Sequence, residues 1–410
     1  MIKRTAIISF FVICIGGIAG YFAATGVNGF LSISFHPKQV PDPYAAEIRP
    51  DSAPHELPLR IVDFGGVGVL PDSMNWGDNY EHNQYWLEDV LVANPPFINT
   101  HAFEREKGKL VQYSKRMAEY GYNAIAMPWF LEFINFDLLE DGQAIYPSNS
   151  IYRQRHAALQ EHFRELMAVC DSNGLKTYLW TDMLQLTSPI KDYLENRFGT
   201  IDTEDPALWS VYEVAAREIF ESFSSVDGLI IRIGEAGTIY NNPDWDYYSE
   251  LYIRTDEAVR QMLKAFLTAA EAYDKQIIFR TWSVGVGEIG DMHTNSETYN
   301  RILGDISSEH LVVSTKYCRG DFYSWHELNP TLLTGTHRRI TELQAKREYE
   351  GFGAIPNYVA PLHQVAFQAF IEGNPYFEGV WVWTQYGGPL RAGPLIIYPF
   401  HGFNPCVPLS

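Results

Sequence analysis

The sequence predicts an α/β chain folded as a (β/α)8 TIM barrel behind an N-terminal membrane anchor. Three observations predict it. Short apolar runs rich in β-branched and aromatic residues recur from residue 59 onward. Amphipathic helical patterns separate most of them. Charged residues gather where the runs end, the end at which such barrels build their sites.

Seven runs have strand length and strand composition. They are LRIVDFGG (59–66), NAIAMPWF (123–130), KTYLWTDM (176–183), DGLIIRIGE (227–235), KQIIFRTW (275–282), HLVVSTKY (310–317) and GVWVWTQY (379–386). Between the second and third, HAALQEHFRELMAVCDSNG places Leu159, Phe163, Leu166 and Met167 on one stripe. It closes on Asn173 and Gly174, a helix stop. ALWSVYEVAAREIFESF and DEAVRQMLKAFLTAAEAY repeat the pattern before the fourth and fifth runs. The stretch RRITELQAKREYEG (338–351) admits two readings. Ile340, Leu343 and Tyr349 fit a short helix. As a strand, Thr341, Leu343 and Ala345 share one face, and Glu342, Gln344, Lys346 and Glu348 share the other. Periodicity alone does not choose. Counted as a strand it makes eight, and LHQVAFQAFIEG is the helix that leads into the last. Eight β/α units over about 340 residues make a barrel with long loops.

Composition narrows the function. The net charge of -19 argues against nucleic acid, whose phosphates demand basic patches. It leaves room for an anionic small substrate in a local basic pocket. The 10 Trp and 25 Tyr suit sugar binding as well as a large core. Lys3 and Arg4 precede a charge-free run from Thr5 to Gly26, about as long as a spanning helix. Residues 1–26 therefore read as an uncleaved signal anchor, which places the rest outside the cytoplasm. Residues 27–57 are polar and Pro-containing and read as a linker, 58–400 as the catalytic barrel, and 401–410 as a tail. Cys170, Cys318 and Cys406 have no ligand-like spacing, so neither a disulfide framework nor a zinc site is indicated. No phosphate-binding loop or HExxH motif occurs, so no nucleotide, cofactor or metal is expected. Oligomeric state is not legible.

The chemistry lies at the strand ends. The fourth run ends with Arg232 and Glu235, the fifth with Arg280 and Trp282, the sixth with Lys316 and then Asp321. The seventh, read as a strand, ends with Glu348, and the eighth carries Trp383. Each charged residue alone has an ordinary explanation, as a loop carboxylate, an interstrand ion pair or a solvated acid. Glu132 and Asp182 also end runs and read as lining or support. Together, three carboxylates and flanking cations at one rim are expensive unless used. They suit glycoside hydrolysis, in which one acid protonates the leaving oxygen and a second carboxylate activates water or attacks carbon. The cations suit a substrate with its own carboxylate.

The motifs GLIIRIGEAG, IIFRTW, STKYCRGDF and TELQAKREYEG resemble, in order, those of the α-glucuronidases of glycoside hydrolase family 67. The resemblance covers roughly residues 110–390. It implies removal of glucuronic acid or its 4-O-methyl ether from xylan fragments, with inversion. It implies Glu235 as general acid and Asp321 with Glu348 as the pair that activates water. It further implies Arg280 and Lys316 at the uronate carboxylate, with Arg232 near the position of a family lysine. Trp282 and Trp383 would line the sugar. The chain departs from the family where KYCR replaces KYGP and RIGEAG replaces KANSEG. Two other readings stand beside this one. They are a glycosidase of another glycan and a catalytically inactive, membrane-anchored sugar-binding barrel.

Overall fold

The computed structural model describes residues 57–65, 90–139, 142–240, 244–283, 286–323, 326–344 and 359–383. All lie within one compact unit, Glu47–Ser410. The expected anchor, almost all of the linker, the C-terminal tail and Glu348 lie outside the described residues. Among the described residues no helix is long and apolar enough to cross a membrane.

Eight parallel strands close a barrel. They are β1 (Leu59–Asp63), β2 (Ala124–Pro128), β3 (Lys176–Met183), β4 (Val226–Ile233), β5 (Gln276–Arg280), β6 (Leu311–Lys316), β7 (Arg338–Gln344) and β8 (Phe377–Trp383). Each strand pairs with its sequence neighbours, and β1 pairs with both β2 and β8 to complete the ring. The ambiguous stretch is thus a strand over 338–344, paired with β6 and β8. Tertiary pairing settles what its periodicity left open.

Helices α1 (Thr100–Glu119), α2 (Ile151–Ser172), α3 (Ser188–Phe198), α4 (Pro206–Ser222), α5 (Asp256–Tyr273), α6 (Ser296–Leu303) and α7 (Ala360–Gly373) connect the strands. Their starts follow from local chemistry. Asn99, Ser150, Thr187, Asp205, Thr255 and Asn295 each cap a helix by accepting a hydrogen bond from a first-turn N–H. The expected stop after α2 is present, with Asn173 at the cap and Gly174 at φ +73.

Two irregularities shape the barrel. Pairing between β3 and β4 passes from Thr177–Val226 to Tyr178–Gly228 and skips Asp227. Pairing between β7 and β8 passes from Arg339–Phe377 to Ile340–Gly379 and skips Glu378. Each is a one-residue bulge. The glycine after each bulge is required by contact. A Cβ on Gly228 would lie 2.1 Å from the Gln276 carbonyl oxygen, and one on Gly379 would lie 2.2 Å from that of Leu59. In the ring β4 and β8 stand four places apart, on opposite sides.

Candidate active site

Strands β3 to β8 deliver charged and aromatic side chains to the C-terminal mouth of the barrel. Register explains the order. Asp182 on β3 sits beside Arg232 on β4, and Arg232 beside Arg280 on β5. Arg280 sits beside Ser314 on β6, Lys316 beside Glu342 on β7, and Glu342 beside Trp381 on β8.

These groups form interlocked pairs. Arg232 donates through Nε to Asp182 Oδ1 at 2.6 Å and through Nη2 to the other oxygen. Its Nη1 lies 3.6 Å from Glu235 Oε1. Arg280 donates from Nε and Nη2 to the two oxygens of Glu342, at 2.9 and 2.6 Å. Trp381 and Trp383 hold the guanidinium at 4.9 and 5.0 Å from their ring centres. Ser314 Oγ and Trp383 Nε1 also donate to Glu342, at 2.9 and 3.3 Å. Burial alone would raise the Glu342 carboxyl, but the charges of Arg280 and Lys316 and these hydrogen bonds outweigh it and hold it below the usual range.

Lys316 ends β6 with a side chain only 6% exposed. Its ammonium pairs with Asp321 and rests 3.6 Å from the centre of the Trp282 ring and 4.3 Å from that of Phe322. Burial pulls its pKa down, and the charges of Asp321 and Glu342 restore only part of the loss. Behind Trp282 stands His293, 4.6 Å from ring centre to ring centre.

The loop after β6 answers why Lys, Cys, Arg and Asp crowd together there. Cys318 is buried, and its thiol reaches the carbonyl oxygens of Asp321 at 3.3 Å, Tyr323 at 3.4 Å and Gly320 at 3.6 Å. Tyr317 Oη donates to the Phe322 carbonyl oxygen at 3.2 Å. Gly320 lets the His326 ring lie against the turn, where a Cβ would come within 2.3 Å of His326 Nε2. The turn carries Asp321 at φ +46, in the left-handed region.

Glu235 follows β4 on a loop held by short antiparallel pairings. Gly237–Thr238 pairs with Tyr248–Ser249, which pairs with Gln185–Leu186 beyond β3. Ser249 Oγ donates to the Glu235 carbonyl oxygen at 2.6 Å. Tyr240, on the same loop, donates to Glu132 Oε1 at 2.8 Å. Glu132 is wholly buried and its carboxyl is raised by that burial.

The expected site residues meet different surroundings. Glu235, the expected general acid, has a side chain 62% exposed, because its loop carries it past the end of β4. Arg280 is expected at a substrate carboxylate, but Glu342 already takes its fork. Trp383 is expected as sugar lining, but it is buried against Trp381 at 4.4 Å between ring centres. Trp282 remains half-buried, with Lys316 over its ring. The structure adds Glu342 to the site and ties Asp182, read from the sequence as lining or support, to Arg232. The sequence carried a signal for Glu342, which the strand reading of 338–351 places on one face with Gln344.

No family model matches the chain, and no curated protein sequence does. Among solved structures the chain is similar to a GH138 enzyme targeting pectin rhamnogalacturonan II, with TM-score 0.43 and 14% identity over 81% of this chain and 35% of that one. It is similar to a GH20 β-N-acetylhexosaminidase from Streptomyces coelicolor A3(2), with TM-score 0.44 and 11% identity over 82% of this chain and 61% of that one. It is also similar to a D-allulose 3-epimerase from a Methylomonas species, with TM-score 0.40 and 10% identity over 81% of this chain and 86% of that one. The chain thus spans about a third of the GH138 protein and three fifths of the GH20 protein. The reactions named belong to those proteins.

Proposed function

We propose that the chain is an inverting glycoside hydrolase that releases a sugar acid, glucuronic acid or its 4-O-methyl ether, from oligosaccharides such as xylan fragments. Glu235 is the proton donor, and Asp321 with Glu348 positions and deprotonates the water. The carrying observation is the set of paired charges at one barrel mouth. Asp182 with Arg232, Arg280 with Glu342 and Lys316 with Asp321 sit among Trp180, Trp282, Trp381 and Trp383. Buried ion pairs contribute little to stability compared with apolar packing, so stability does not account for them. A polar mouth flanked by aromatic rings suits a pyranose, which presents hydroxyls at its edge and C–H groups on its faces.

A single displacement by water needs room, so Glu235 is expected roughly 6.5–9.5 Å from the base carboxylates in the working complex. Glu235→Gln should abolish cleavage of natural linkages and spare activated aryl glycosides, whose leaving groups need no proton. Asp321→Ala should harm both alike. A panel of uronate-capped oligosaccharides tests the activity, and NMR of the first-formed anomer tests the stereochemistry. Retention of configuration would rule out the single displacement. Wild-type turnover by Glu235→Gln would remove that residue from the acid role.

One observation favours a second reading. The exposure of Glu235 suits a barrel that binds sugars without cleaving them. Saturable binding of the panel with no product after long incubation would select it. The anchor is proposed on the sequence of residues 1–26 alone, with the barrel outside the cytoplasm. Protease added to intact spheroplasts should digest the barrel, and full protection would reverse the topology.

A further inference from the structure

Among the described residues the mouth holds more anions than cations. Asp182, Glu235, Asp321 and Glu342 stand against Arg232, Arg280 and Lys316. Every one of these cations already meets a carboxylate. A substrate carboxylate that meets one of these three cations therefore competes with an internal one.

The three buried or half-buried candidates differ. Glu342 is fully buried and accepts from Arg280, Ser314 and Trp383. Asp182 is held by both arms of the Arg232 fork. Asp321 has one cation, Lys316, and is 26% exposed on a loop with its backbone in the left-handed region. On the side of Lys316, rings cover two approaches, Trp282 at 3.6 Å and Phe322 at 4.3 Å. Asp321 occupies a further one. The position that an incoming anion needs is the position that Asp321 fills.

We propose that Asp321 is the internal occupant of the anion subsite, and that the carboxylate of the sugar acid displaces it from Lys316. This rests on the proposed substrate class. No bond is made or broken in the exchange: Lys316 trades one carboxylate for another, and Asp321 is released toward the reacting water. Asp321 then becomes available as a base only when an acidic sugar is seated. A neutral sugar leaves the pair closed, so Asp321 sets specificity as well as acting in the reaction.

The test is calorimetric binding of D-glucuronate and D-glucose to the full-length chain. The wild type should prefer glucuronate, and Lys316→Met should lose that preference. Asp321→Asn removes the competing anion and should bind glucuronate at least tenfold more tightly, with a larger preference for glucuronate over glucose than the wild type shows. If Asp321→Asn binds glucuronate no more tightly, while the wild type keeps its Lys316-dependent preference, the exchange is overturned and the substrate reading stands. If neither protein prefers glucuronate, the substrate reading falls and the exchange with it. Should Asp321→Asn misfold, Cys318→Ala is the second variant. It removes the sulfur hydrogen bonds of the loop and no charge at the mouth. It should tighten glucuronate binding severalfold, and no tightening overturns the exchange.

Discussion

Arg280 and Glu342 meet inside the barrel at 2.9 and 2.6 Å although β6 lies between their strands. The arginine side chain is 3% exposed and the carboxylate 0%. Both ions have left water, and each depends on the other for compensation.

Removing one partner should therefore cost more than removing both. Glu342→Leu strands a buried guanidinium and is expected to lose about 3–5 kcal/mol of stability. Arg280→Met combined with Glu342→Leu should recover most of that loss. Urea unfolding of the two single variants and the double variant checks this. Simple additivity would mean that the two residues do not act as a pair.

Gly234→Ala should damage the mouth although it adds a single methyl group. The new Cβ would fall 2.2 Å from Asp182 Cβ and 2.5 Å from its Oδ2. Asp182 must swing away, which breaks its fork with Arg232. A loss of about 1–3 kcal/mol is expected from the overpacking, together with a fall in turnover. Ala236→Gly, two residues on in the exposed loop, is the control. Equal melting temperatures for Gly234→Ala and wild type would contradict the contact.

Acid should weaken the fold through two buried histidines. Burial pushes His156 and His363 down from 6.5 to about 3 each. The unfolded chain therefore binds their protons first as pH falls below 6.5. Stability is complete above that pH and is lost between it and about 3. Each group contributes a slope of up to about 1.4 kcal/mol per pH unit. His156 bonds Asn135 Oδ1 at 3.1 Å and the Tyr247 hydroxyl at 2.8 Å. In urea titrations at pH 7, 6 and 5, His156→Gln should show a shallower decline than wild type, even though it starts lower. Parallel declines would show that His156 does not stay neutral.

Two thiols should be inert in the native state. Burial pushes both Cys170 and Cys318 up to about 12, so the reactive thiolate is scarce at pH 8. Alkylation followed by peptide mapping should mark neither before urea is added and both after. Native labelling of Cys318 would show that the loop after β6 opens spontaneously.

Local chemistry made much of this fold legible. Strand β3 and helix α5 fall on the residues that their composition marks, 176–183 and 256–273. Helix stops and N-caps act within a few residues of themselves, so one chain segment suffices to read them. The seventh strand did not yield to the same treatment, because a helix and a strand both fit its apolar residues until β6 and β8 paired with it. The site was legible as a list and not as a wiring diagram. Asp182, Arg232, Arg280 and Lys316 all lie at strand ends as their runs suggest. The partner of Arg280 lies 62 residues away. That partner is set by the closure of the ring, which no local pattern encodes. Glu342 was visible on the correct face of its strand, but nothing nearby in sequence distinguished it from Glu348.

The skipped residues Asp227 and Glu378 give the chain an unequal tolerance to changes in length. A strand alternates its faces, so one residue more or less turns over everything that follows. A bulge residue has no partner, so deleting Glu378 would make Arg339–Phe377 and Ile340–Gly379 consecutive pairs and leave Trp381 and Trp383 in the lumen beside Arg280. Deleting Asp227 would likewise make Thr177–Val226 and Tyr178–Gly228 consecutive pairs and keep Arg232 beside Asp182. Deletion at either of these two positions spares that alternation, and deletion at a paired position of the same strand does not. Diametrically placed in the ring, the two bulges are the places where β4 and β8 can each lose a residue without shifting the frame of those that follow, much as a codon removed whole leaves the reading frame intact.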